Sequence, residues 1–445
     1  MTTQTKRLRQ NGLGVSSLLL LGAVVLLSDV PARGQDAVQS RFTCSAGHRK
    51  GVETLGVDSL YKDGGAGFDL ATAPQRITGG ACSSDKPFFF SIAAVDGDYQ
   101  VTLTLGGPQA SRTTVKAESR RLMVDKLVLK AGRSQEVVFN VNVRTAKIAG
   151  APAGADTVRF KPREIGILEW DNKLTLEFNG ENPSVRSIAI QKIDVPTVYI
   201  AGDSTVVDQD KEPWAAWGQM LPVFFGPGVS IANNAESGET IKSFVGERRL
   251  AKVESTWKKG DYLLIQFAHN DMKMPGGVPI PEYKQIMQRY ISDARAAGVT
   301  PILVTAMNRR NFNPDGSIQP TLGEYPQATR DVAAQEHVAL IDLNAMSKTI
   351  FEALGEQGTI HAFVQYAANT FPGQTTELKD NTHFNSYGAY ELARAIVQSI
   401  RDQHLPLEPY LRPGIPPFNP AKPLPFAQWS LPMSPAISTV TPYGR

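Results

Sequence analysis

Asp380 and His383, three residues apart in the stretch LKDNTHFNSYG (378–388), have the types and spacing for general-base chemistry. A carboxylate can hold one imidazole nitrogen by its N–H and leave the other free to take a proton. His383 is one of only six histidines in 445 residues. A base of this kind serves a nucleophile, and Ser204 in AGDSTVVD offers a hydroxyl just beyond an apolar run. Such a hydroxyl is a poor nucleophile until a neighbouring base takes its proton. Two further stretches carry groups suited to developing negative charge. Gly238 in NNAESGET has no side chain, so its N–H can approach a carbonyl oxygen closely, and Asn270 in FAHND offers an amide donor. Each residue also has an ordinary reading. Gly-Asp-Ser is a common turn, Gly238 a loop glycine, Asn270-Asp271 a turn pair, and Asp380 and His383 a local cap and a packed ring.

The elements that would position these residues are legible as patterns. From Pro196 onward TVYIAGDST, VSIANNAESG, DYLLIQFAHND, TPILVTAMN and VALIDL read as apolar strands. Helical stretches alternate with them. One is expected over 214–225, with Trp214, Trp217, Leu221 and Phe224 on one stripe. Another is expected over 281–297, with proline at its first position and Gly298 just past its end. This alternation predicts a parallel sheet with helices on both faces, where ligands bind at the carboxyl ends of the strands. Ser204, Gly238 and Asn270 all fall at such ends. Ser386 is expected to cap the last helix, whose stripe is Tyr390, Ala393, Ile396, Val397 and Ile400, leaving Asp380 and His383 on the preceding loop. Residues 42–192 have another rhythm. PFFFSIAAV, DYQVTLTLGG, EVVFNVNVRT, KLTLEFNG and VRSIAIQKI are short alternating or β-branched runs that predict an antiparallel β-sandwich. Between Pro406 and Pro442 there are eleven prolines, so this tail is expected to run extended over the surface and back toward the first domain, tacked down by Phe418, Phe426 and Trp429.

The ends and the composition limit the function classes. Lys6, Arg7 and Arg9, the apolar run VSSLLLLGAVVLLS and the small residues Ala32 and Gly34 predict a signal peptide over 1–34, cleaved before Gln35. The protein is then expected to be secreted or periplasmic, with no membrane partner after cleavage. Four of the 46 basic and one of the 43 acidic residues lie in that leader, which leaves 42 of each sign. A balanced chain gives no charge argument for a nucleic-acid partner. Cys44 and Cys82, the only cysteines, read as one disulfide in an oxidising compartment. Neither has a metal-ligand neighbour, so no metal site and no cofactor are expected. The length suggests more than one core, and the domains expected are a β-sandwich over 35–194, a catalytic domain over 195–404 and a proline-rich tail over 405–445.

The order Ser204, Gly238, Asn270, then Asp380 with His383, resembles the four sequence blocks of the SGNH (GDSL-type) hydrolases. Within them WGQML, NNAESGETIKSF, NRRNFNPDGSIQPTLGEYPQATR and LKDNTHFNSYGAYELARAI resemble the rhamnogalacturonan acetylesterases, over about 197–403. The resemblance implies a three-layer, flavodoxin-like α/β sheet, with Ser204 as nucleophile, His383 as general base and Asp380 as its orienting acid. It also implies an oxyanion hole of Ser204 N–H, Gly238 N–H and the Asn270 side chain. Two positions depart from the family pattern: Ala268 stands where the third block has glycine, and Glu239 where many relatives have arginine. The β-sandwich resembles the galactose-binding-like jelly rolls of secreted carbohydrate enzymes by pattern and not by motif. Arg309 and Arg310, directly after the fourth strand, are candidates to grip a galacturonate carboxylate. The expected function is a secreted esterase that removes acetyl groups from an acetylated polysaccharide or oligosaccharide, above all pectic rhamnogalacturonan. The alternatives are an esterase of the same fold on xylan or other acyl esters, and a non-catalytic carbohydrate-binding protein on an esterase scaffold.

Overall fold

Five short apolar strands make the sheet that carries the candidate residues, in a computed structural model that describes residues 39–47 and 49–436. The expected leader and His48 lie outside the described residues. The strands are β1 (Thr197–Gly202), β2 (Ser230–Asn233), β3 (Tyr262–Gln266), β4 (Thr300–Val304) and β5 (Ala339–Ile341). All are parallel, in the order β2-β1-β3-β4-β5. This is the flavodoxin-like order, in which the chain reverses direction of growth at β1 and opens a crevice at the carboxyl ends.

Alternation along each strand divides the core in two. Val198, Ile200, Leu264, Ile302 and Val304 face one layer, built largely from the helices Leu343–Thr359 and Ser386–Asp402. Tyr199, Ala201, Leu263, Ile265 and Leu303 face the other, built largely from Ile280–Ala296 and Tyr325–Gln335. Strands covered on both faces need apolar residues at every position, which is why they read as continuous runs. The helix expected over 214–225 is shorter. It is one α-turn, Trp217–Met220, followed by a 3-10 turn, Leu221–Phe224, with Pro222 in its first turn. Proline inside a helix removes an N–H and clashes with the preceding turn, so the stripe cannot continue. Gly298 takes φ 73° directly after Ile280–Ala296 and its cap.

Residues 40–193 form two largely antiparallel sheets over one core. Gly97–Gly106, Ser134–Val143 and Ser184–Ile193 lie in the first, and Phe88–Ala93, Ser111–Ala117, Arg121–Leu129 and Lys173–Glu181 in the second. Val101, Leu103 and Ile188 of one meet Phe88, Leu176 and Phe178 of the other. Cys44 and Cys82 are disulfide-bonded at the edge of this core, with Cα atoms 5.6 Å apart. The described residues fall within one compact unit, so position 194/195 marks a change of architecture and not a separation. Asn140 Nδ2 donates to the carbonyls of Pro227 (2.9 Å) and Val229 (3.0 Å), and Thr197 Oγ1 donates to Asp98 Oδ2 at 2.6 Å.

The tail crosses back onto the β region. Arg412 N–H donates to Phe224 O at 2.8 Å, and Trp429 packs on Tyr390 with ring centroids 4.5 Å apart. Farther on, Lys116 Nζ donates to Pro432 O and to Ser434 Oγ, each at 2.7 Å. No helix among the described residues is long and apolar enough to cross a membrane.

Candidate active site

The first residue after β1 sets up the turn that presents Ser204. Asp203 is fully buried, its Oδ1 accepts from Thr205 N–H (2.9 Å) and Oγ1–H (2.8 Å), and its carbonyl accepts from Val206 N–H at 3.0 Å. Gly202 permits the tight return, because a Cβ there would come within 2.7 Å of Val206. Ser204 Oγ lies 2.8 Å from His383 Nε2, and His383 Nδ1 lies 2.7 Å from Asp380 Oδ2. Asp380 Oδ1 accepts from the N–H groups of Thr382 (2.9 Å) and His383 (3.0 Å). Burial opposes the charge on Asp380, but the His383 ring and these two N–H groups outweigh it and hold the carboxyl below its ordinary value. An ionised carboxylate only accepts, so Nδ1 carries the imidazole proton and Nε2 is left as acceptor for the serine hydroxyl.

Asp380 and His383 sit on a strand and not on a loop. Leu378–Phe384 pairs antiparallel with Phe363–Tyr366 in a two-stranded sheet, with an irregularity in register beside Asp380. The cap of the following helix is Asn385, whose side chain accepts from Tyr387 and Gly388 N–H, and Ser386 is the first helical residue.

Three candidate donors follow the carboxyl ends of β1, β2 and β3. Ser204 N–H and Gly238 N–H have no acceptor among the described residues. Asn270 Nδ2 donates one hydrogen to Glu239 O at 3.0 Å, and its Oδ1 accepts from Lys273 Nζ at 2.9 Å. An ammonium donates only, so Lys273 fixes which end of the amide is nitrogen. Gly238 has φ 81°, the left-handed region where a side chain is strained. Ala268, in the family's glycine position, has φ 157°, outside the range that L-residues favour, and is buried in the apolar core.

Glu239 is fully buried and does not line the mouth of the site. It pairs with Lys161, lies 3.5 Å from Arg249 Nε and accepts from Ser243 Oγ–H at 2.5 Å. Arg309 gives its guanidinium to main-chain carbonyls, Thr321 O and His269 O, both at 3.2 Å. Arg310 Nη2 donates to Glu356 O at 2.7 Å, and its N–H donates to Asn381 O at 2.8 Å. His269 is buried 3.6 Å from Asp203 Oδ2, and burial pushes its ring toward the neutral form. Lys273, Lys161 and Arg163 had no signal in the sequence. Lys273 follows Asn270 by three residues in an irregular segment, and the other two approach the site from far upstream.

The GDSL-like lipase/acylhydrolase family matches residues 200–390. The rhamnogalacturonan acetylesterase RhgT of Bacillus subtilis is 40% identical over 216 residues, 48% of this chain and 93% of the relative. The probable rhamnogalacturonan acetylesterase YesY of the same organism is 32% identical over 215 residues, 47% of this chain and 94% of the relative. The uncharacterized esterase YxiM, also from Bacillus subtilis, is 25% identical over 319 residues, 71% of this chain and 74% of the relative. The chain belongs to the SGNH (GDSL-type) lipase/acylhydrolase family, on its rhamnogalacturonan acetylesterase branch, and is an ester hydrolase. This is the family expected from the four blocks.

Proposed function

We propose that this protein is a secreted serine esterase that removes acetyl groups from plant cell-wall polysaccharide, with acetylated rhamnogalacturonan as its substrate. The observation that carries the reading is the hydrogen-bonded series Ser204–His383–Asp380 beside donors left without acceptors. Relatives named as rhamnogalacturonan acetylesterases support the substrate class. Ser204 Oγ attacks the acetyl carbonyl carbon while His383 Nε2 takes its proton, and Asp380 stabilises the imidazolium. The tetrahedral oxyanion is met by Ser204 N–H, Gly238 N–H and the second hydrogen of Asn270 Nδ2. His383 then protonates the departing sugar oxygen, and water, deprotonated by the same nitrogen, releases acetate from the acetyl-serine.

The test is acetate release from acetylated rhamnogalacturonan, acetylated xylan and p-nitrophenyl acetate, with Ser204→Ala as control. Release fastest from rhamnogalacturonan, and a fall in kcat of about 10³–10⁶ in the control, is expected. Faster release from xylan would move the substrate to the second reading, and no release from any of the three would leave a binding protein. Secretion is checked separately by N-terminal sequencing of the exported protein, which should begin at Gln35.

A further inference from the structure

The peptide between Ser237 and Gly238 is gripped by two cations that lie outside the residues matched by the family. Lys161 Nζ donates to Ser237 O at 2.8 Å, and Arg163 Nη2 donates to the same oxygen at 3.3 Å. Each cation is held by the acid on one side of that peptide: Arg163 pairs with Glu236, and Lys161 pairs with Glu239. The segment that brings them is itself fixed. Lys161 N–H donates to Glu164 Oε2 at 2.8 Å, Glu164 pairs with Arg249 Nη2 at 2.6 Å, and Arg159 N–H donates to Glu247 O at 3.0 Å. The four residues Glu236–Ser237–Gly238–Glu239 thus carry two carboxylates whose cations converge on the carbonyl between them.

In a trans peptide the C=O and the following N–H point in opposite directions, so whatever holds Ser237 O also aims Gly238 N–H. The aim matters because Gly238 has no side chain and takes positive φ, and a glycine can turn its preceding peptide over at little steric cost. A turned peptide would present a carbonyl oxygen to a forming oxyanion. Charge-assisted hydrogen bonds are roughly twice as strong as neutral ones, and donors on a carbonyl oxygen strengthen the N–H of the same peptide. We propose that Lys161 and Arg163 are positioning residues for the oxyanion-binding peptide, supplied to the esterase fold by the connection between the strands Ser134–Val143 and Lys173–Glu181 of the β region. The assignment rests on the serine-esterase reading given above.

The test uses the full-length chain and steady-state hydrolysis of p-nitrophenyl acetate by Lys161→Met, Arg163→Met and Lys161→Arg. Lys161→Met combined with Glu239→Gln removes cation and carboxylate together, so that no buried charge is left alone and the fold is kept. Unfolding midpoints identify the folded variants. The expected result is a fall in kcat of about tenfold to a hundredfold for the Met variants, with KM within about twofold, because a transition-state contact alone has been weakened. Affinity for a boronic acid that forms a tetrahedral adduct with Ser204 should fall in the same ratio, and Lys161→Arg should recover most of kcat. Folded Met variants with wild-type kcat would overturn the assignment, as would kcat and KM changing together with no recovery by arginine. A wild-type chain that releases no p-nitrophenol would overturn the esterase reading and this assignment with it, whereas an active wild type with unaffected variants overturns this assignment alone.

Discussion

Asp271 follows Asn270 and is buried with one carboxyl oxygen, Oδ1, accepting from Ile241 N–H at 2.8 Å. Burial, with Asp203 nearby, pushes this carboxyl up to about 8, against the pull of that N–H. The folded state therefore binds a proton that an unfolded aspartate, titrating near 3.8, has lost. Stability from this group is fully present below about 4 and is lost as pH rises through about 8. Asp271→Asn keeps an acceptor for Ile241 N–H and removes the titration. Its thermal midpoint should gain on the wild type between pH 5 and pH 8, and parallel curves over that range would show that Asp271 is ionised throughout. At this scale the four blocks were readable because Ser204, Gly238 and Asn270 follow the ends of apolar strands in short polar stretches, and because Asp380 and His383 stand three residues apart in a polar segment before the last helix. Lys161 and Arg163 were not, since Lys161 lies 76 positions from the carbonyl that it holds and nothing in its surroundings announces a partner. Glu239 read as a change at the substrate surface because a sequence does not reveal which cation will bury a carboxylate.

Among the elements, the parallel sheet was the most legible, because strands covered on both faces must be apolar throughout. The hairpin Ser111–Ala117 and Arg121–Leu129 escaped notice because its buried positions include Lys116, Arg120 and Arg121, and charges inside a strand read as solvent-facing. Their burial has partners. Arg121 pairs with Asp208, and Arg120 Nη1 donates to Gln209 O (3.0 Å) and Trp214 O (2.9 Å) while its Nη2 pairs with Glu212 at 2.6 Å. Gln209 Nε2 donates in turn to Ser204 O at 2.9 Å, so the hairpin tip bears on the turn that holds the serine. The strand carrying Asp380 and His383 read as a loop because its pairing is short and irregular. The Cys44–Cys82 bond acts on another element, closing a sequence separation of 38 at the edge of the β core. A loop of that length corresponds to about 4 kcal/mol in the chain-entropy model. Cys44→Ser with Cys82→Ser should lose stability of that order in denaturant titration, with kcat on p-nitrophenyl acetate unchanged for the folded fraction. A large loss of kcat would mean that the β core sets the geometry of the site more tightly than these contacts indicate.

The molecule as a whole is joined by a polar cluster where the tail, the β region and the segment after β1 of the esterase half meet. Lys116 Nζ lies 3.8 Å from Glu177 and donates to Ser434 Oγ, whose hydrogen goes to Glu177 Oε2 at 2.7 Å. Asn179 Nδ2 donates to Met433 O at 2.8 Å, and Ser434 N–H donates to Glu212 Oε1 at 3.1 Å. Removing one member of a buried pair strands the other charge, at a cost of about 3–5 kcal/mol. Lys116→Met should lose stability of that order, and adding Glu177→Gln should restore part of it, read as midpoints of one cooperative denaturant transition. Equal stability of the single and double variants would show that the two charges do not depend on each other.

The placement of Ser434 also orders events in time. It contacts Glu177 across 257 positions of sequence, and Lys116 across 318. During synthesis both sheets of the β region can pair while the ribosome is still adding the esterase half. Their acid and base must then wait, in water, for a strap that is translated hundreds of residues later. The β region is thus made before the esterase half and finished after it.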